Sequence, residues 1–236
     1  KLSLLSGVLS LVWALVLAVL RPLLCRALAP IRWLTIAYID VFRGIPLLLV
    51  LLFVSSSFSA LAGEDLLPRA IGNPTWLGES NAFWYGIFSL TITYGAYMAE
   101  VYRAGIEAVP RGQMEAARSL GMSHGQAMRQ VIVPQAVRKV VPPLLNDYIA
   151  LTKDTSLVSV LGVVDLTQAG SDVAAEFFNN SAYVLGAVFY LLLTLPLARL
   201  VDWLIARDRE KTARTSGKED DDGPELPPRQ TGMAGA

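Results

Sequence analysis

Three ionisable side chains, Asp147, Lys153 and Asp154, interrupt an otherwise apolar stretch from Val140 to Val164. Charged groups at membrane depth are costly and face protein or water rather than lipid. Asn146 and Lys153 stand seven residues apart, as do Asp147 and Asp154, so each pair shares one face of a helix. Two chemistries fit this spacing. Asn146, Lys153, Asp154 and the nearby Ser156 would offer partners of both signs to a ligand passing through the membrane, or the charges would brace a seam between two copies of the chain. Glu100 poses the same choice at the end of another apolar block, as a pore-facing carboxylate or an interfacial charge paired with Arg103 three residues on. Tyr94 and Tyr97 flank Gly95 and Ala96, which makes them either pore-lining phenols or packing residues at a close helix contact.

Other chemistries lack their residues. The single histidine, His124, excludes a multi-His metal site. The single cysteine, Cys25, excludes a disulfide framework or a Cys-based zinc site and is given no role. No nucleophile–base–acid set is apparent, and no Gly-x-x-x-x-Gly-Lys-Ser/Thr phosphate loop occurs. With 20 Lys+Arg against 20 Asp+Glu, the chain has no basic excess for nucleic acid.

The elements that position these residues are membrane helices. The chain is 53% hydrophobic and 17% charged over 236 residues, more apolar and less charged than soluble domains. Uncharged blocks span 2–20, 44–63, 81–99 and 179–198, and the interrupted block spans 140–164. Each has the length needed to cross a bilayer as a helix, and none alternates as barrel strands do. The expectation is an all-α polytopic membrane protein with about five spans. The first block has an alternative as a signal-peptide core, since Ala27-Leu28-Ala29 resembles a cleavage site, but its length, Arg21, Arg26 and Pro30 argue against that. Residue 1 is Lys, so the numbering is expected to begin inside a longer chain.

Basic residues follow the first, third and fifth blocks, whereas the 64–80 loop and the 165–178 segment are acidic. Basic loops stay cytoplasmic, which puts the N-terminus outside and the C-terminus inside. A membrane domain over 1–214 is then followed by an acidic tail over 215–236, rich in Gly and Pro and expected to be disordered.

The loop over 101–139 is long but not low in complexity. Pro110 suits a helix start; Met114, Ala117 and Leu120 then share a face, and Gly121 suits a helix stop. Ser123 and Gln126 have capping-box spacing for a second helix, carrying Met128, Val131 and Ile132 and ending near Pro134. Two short helices at a glycine corner form a docking element, with Ala116 and Ala117 admitting a partner close to the backbone.

Glu115-Ala116-Ala117, Gly121 and Val131-Ile132-Val133-Pro134 resemble the EAA loop of ABC-importer permeases. Phe42-Arg43-Gly44-Ile45-Pro46, Gly95-Ala96-Tyr97-Met98-Ala99-Glu100, Pro134-Gln135-Ala136 and Lys153-Asp154-Thr155-Ser156-Leu157 are similar to the polar amino acid branch of type I permeases, over about residues 7–205. The resemblance implies a dimeric pore of two copies or of related chains in a bacterial inner membrane. It implies two cytoplasmic ABC ATPase subunits that bind the ATP and Mg, and an extracytoplasmic binding protein that delivers the amino acid. It makes Arg111, Glu115, Ala116, Ala117, Arg118, Gly121 and His124 candidates for the ATPase contact, with His124 alternatively a solvated loop residue. No cofactor on this chain is implied. The competing function is an ion-coupled carrier or channel working without ATP, which would need no ordered docking loop; a membrane-embedded enzyme lacks the residues.

Overall fold

A computed structural model describes residues 1–23 and 29–221; Cys25, Ala27, Leu28 and the tail beyond Asp221 lie outside them. Helix α1 spans Leu2–Leu23, α2 Ala29–Gly44 and α3 Leu47–Gly63. A short α4, Arg69–Gly72, and a 3₁₀ turn at Trp76–Gly78 lead into α5, Asn81–Glu107. Then come α6, Arg111–Ser119, α7, His124–Ala127, and a π-helical turn at Met128–Ile132 that opens directly into α8, Val133–Asp154. A 3₁₀ segment, Thr155–Leu161, precedes α9, Leu166–Phe177, and α10, Ser181–Asp221. The described residues form no strand.

The helices depart from the expected blocks where local chemistry intervenes. The block at 44–63 becomes α3 from Leu47 on, and the helix before it, α2, meets it at 111°. Pro46 lacks an amide hydrogen and disfavours helix at the preceding residue, so the chain must break there. The expected span at 140–164 is corrected similarly. Its α-helix begins earlier, at Val133, and stops at Asp154. Beyond it, the Thr155 hydroxyl donates to the Thr152 carbonyl at 2.7 Å and the Ser159 hydroxyl to that of Ser156 at 2.6 Å. These side chains compete for helical carbonyls, and Gly162, left-handed at φ 85°, ends the segment.

The second loop helix does not end near Pro134. The π turn absorbs the proline at the first turn of α8, where a missing amide hydrogen costs little. The excursion from the helical bundle is therefore shorter than 101–139, because α5 runs on to Glu107 and α8 starts at Val133. The backbone of α10 continues past 214 to Asp221, into the stretch expected to open the tail.

By length and apolarity, α1 over Leu2–Val19 and α10 over Ser181–Arg207 are each able to cross a membrane, and the bent α2–α3 pair has the length and apolarity of a broken span or a re-entrant loop. The central helices α5 and α8 are more polar because they build the interior. The main core joins Ala14 and Leu17 of α1, Ile39 of α2, Leu51 of α3, Leu90, Tyr94 and Met98 of α5, and Leu151 of α8. Close approach depends on glycine: a Cβ on Gly95 would lie 2.5 Å from Trp13 Cδ1. Trp13 Nε1 donates to the Tyr38 hydroxyl at 2.8 Å, and that hydroxyl donates to the Ile92 carbonyl at 2.6 Å, tying α1, α2 and α5 together.

Candidate functional site

The break between α2 and α3 leaves two helix ends, exposed in the single chain, beside α5 and α8. Pro46 caps α3 with no side-chain hydrogen bond. The first amides of α3 thus lack intrahelical partners and give that end a positive potential. Arg43, in the last turn of α2, adds a full charge beside it. Tyr94 and Tyr97 of α5 and Asp147 and Asp154 of α8 complete the walls of a cavity of about 420 Å³. This volume lies within the range of small-molecule sites, roughly 300–1,000 Å³.

The polar groups are held apart and oriented. The Tyr94 hydroxyl donates to Asp154 Oδ2 at 2.7 Å. The Tyr97 hydroxyl donates to the Arg43 carbonyl at 3.1 Å, and the Arg43 guanidinium sits over the Tyr97 ring, 5.8 Å from its centre. Asp147 Oδ2 is buried with no hydrogen-bond partner in the protein. Among the described residues, no ion pair within 4.0 Å joins Arg43 to either carboxylate. The cavity therefore presents a cation and two anions that do not directly neutralise one another. A larger groove of about 940 Å³, walled by Trp13, Phe42, Phe53 and Phe88 among others, is almost wholly apolar and has no charge to offer a polar ligand.

The candidate membrane residues divide accordingly. Tyr94, Tyr97 and Asp154 come together. Asn146 and Lys153 are exposed on another face of α8, and Ser156 lies in the 3₁₀ segment outside the cavity lining. Glu100 also lies outside it and receives hydrogen bonds from Arg103, which bonds to Glu107 as well. Asp147, marked in the sequence as an intramembrane charge, belongs to the cavity, and so does Arg43, which did not stand among the candidates. The seven-residue spacing of Asp147 from Asp154 was the available signal; for Arg43 only its place before Gly44 and Pro46 pointed to a helix break.

The second candidate region is the corner at α6 and α7. Gly121 is left-handed at φ 83°, a backbone that side chains rarely adopt. The capping box forms: Ser123 N donates to Gln126 Oε1 at 2.8 Å and Gln126 N donates to Ser123 Oγ at 3.3 Å. Met114 packs on Val109, Ile132 and Ala136, and Ala117 is buried. Arg111, Glu115, Ala116, Arg118, Gly121 and His124 are exposed. Ala117 thus anchors the corner from within while Ala116 faces out. Leu120 does not join the packed face; it is 84% exposed, because the helix ends just before it.

The chain resembles proteins that are known. It is 37% identical to the probable glutamine ABC transporter permease protein GlnM of Bacillus subtilis, over 87% of this chain and 89% of that one. It is 34% identical to the glutamate/aspartate import permease protein GltK of Escherichia coli, with 88% of each covered. Among solved structures, an amino acid ABC transporter crystallised with histidines matches at a TM-score of 0.74 and 34% identity, over 88% of this chain and 89% of that one. A family model described as the binding-protein-dependent transport system inner membrane component matches residues 7–210, and the chain belongs to that family.

Proposed function

We propose that this chain is the transmembrane permease subunit of an ATP-driven importer that carries polar amino acids into the cytoplasm. The observation that carries the reading is the mixed-charge cavity between the α2–α3 break, α5 and α8. An amino acid is a zwitterion, and bare passage through lipid would strand both its charges. Arg43 and the open α3 amides suit its carboxylate; Asp147 or Asp154 suits its ammonium group. Half-helix ends that face a substrate near mid-membrane are a recurring device of transporters. GlnM and GltK, named for amino acid transport, support the same substrate class.

The energy comes from partners. The exposed corner of α6 and α7 docks a cytoplasmic ATPase, with Arg111, Glu115, Ala116, Arg118 and His124 at the contact and Gly121 setting its angle. ATP and Mg bind that partner. Two ATPase subunits, a second permease copy or paralogue and an extracytoplasmic amino acid-binding protein complete the assembly. It sits in a bacterial inner membrane, N-terminus outside and C-terminus inside, with about five spans per chain.

The test is uptake of radiolabelled amino acids into proteoliposomes holding the assembled complex, with and without ATP. Uptake should require ATP, and Gly121→Leu should leave the ATPase bound while uncoupling hydrolysis from transport. Uptake that persists without ATP overturns the reading in favour of an ion-coupled carrier.

A further inference from the structure

The charge inventory of the cavity is unequal. Of its lining residues, Arg43 is the only cation, and Asp147 and Asp154 are both acidic. Lys153, next in sequence to Asp154, points elsewhere and is exposed. A zwitterion consumes one charge of each sign: its carboxylate pairs with Arg43 and the α3 amides, its ammonium with one aspartate. One carboxylate is left over.

The two aspartates are not equivalent. Asp154 already accepts the Tyr94 hydroxyl. Asp147 is the one whose Oδ2 is buried without a protein partner. A buried, unpaired carboxylate oxygen is costly, and a bound cation would remove that cost. The Tyr94 ring, whose centre is 6.0 Å from that of Tyr97, supplies a face that also attracts cations, whereas the Tyr97 ring already carries the Arg43 guanidinium. An acidic side chain would instead meet an unpaired carboxylate in a confined space, where like charges repel strongly.

We infer that the cavity selects amino acids by side-chain charge, favouring a cationic over a neutral and a neutral over an acidic side chain, with Asp147 as the specificity-determining residue. This rests on the cavity being the substrate site of the importer.

Equilibrium binding of radiolabelled arginine, glutamine and glutamate to the intact permease–ATPase complex tests it. Arginine should bind at least tenfold more tightly than glutamate, with glutamine between. Asp147→Asn should weaken arginine about tenfold and change glutamine less than threefold; Asp147→Glu, which keeps the charge, should preserve the order. Arg43→Gln should weaken all three. If glutamate equals or exceeds arginine while Arg43→Gln still weakens binding, or if Asp147→Asn lowers all three equally, charge selection is overturned and the cavity remains the site. If Arg43→Gln and Tyr94→Phe leave every affinity unchanged, or nothing binds saturably, the substrate-site reading falls and the inference with it.

Discussion

Helices α5 and α10 invert the relation between apolarity and burial that governs soluble proteins. Over Ser181–Arg207, α10 is apolar enough to span a membrane, yet only 6% of its most apolar window is buried. Helix α5 contains an asparagine, a serine, threonines, tyrosines and glycines, and buries Gly86, Ser89, Thr93, Tyr94 and Gly95. Where the solvent is hydrocarbon, leucine gains nothing by leaving it. Association depends on close backbone approach, which small residues such as Gly86, Ser89 and Gly95 permit. Hydropathy therefore marks the helix with few partners within the chain, and small or polar residues mark the one at the centre.

The contrast breaks if substitutions on the two helices cost the same. Gly95→Leu should have the largest effect, on the order of 3 kcal/mol, because even a Cβ there would lie 2.5 Å from Trp13. Thermal unfolding of the purified chain in detergent would register this as a large fall in Tm or as failure to accumulate. Tyr38→Phe removes the acceptor of Trp13 and the donor to Ile92 and should cost about 1–2 kcal/mol by the same measurement. Ser123→Ala removes the cap at the corner and should cost about 1 kcal/mol; hydrogen exchange should quicken over residues 123–127 while the Tm of the core holds. Leu192→Ala, at a residue 65% exposed on α10, should change stability by less than about 0.5 kcal/mol. If Leu192→Ala matches Tyr38→Phe, α10 packs against another protein chain and not lipid, and the comparison fails.

The two candidate regions differ in how far the sequence reveals them. At the corner, Pro110, Gly121, Ser123 and Gln126 act within a few residues of themselves, so helix start, turn and cap follow from spacing. The exception is Leu120: its spacing matched Met114 and Ala117, but α6 ends a residue too early to aim it at the core. The cavity draws on α2, α5 and α8. From sequence, Lys153 and Asp154 look equally available. Consecutive helical residues point about 100° apart, and only the packing of α8 on α5 determines that Asp154 meets Tyr94 while Lys153 turns away.

The sequence by itself determined the membrane class, the apolar blocks, the two-helix corner and its caps, because each depends on composition or on contacts within a helical turn or two. Tertiary structure alone decided the 111° angle at which the chain turns at the Gly44–Pro46 break, that Arg43 then stands opposite Asp147 and Asp154, and that Glu100 lies outside the cavity. The reason is the distance along the chain. A side chain's direction follows from its own helix, but its partners depend on how separate helices rotate and cross, which the glycine contacts of α5 fix only once the bundle is assembled.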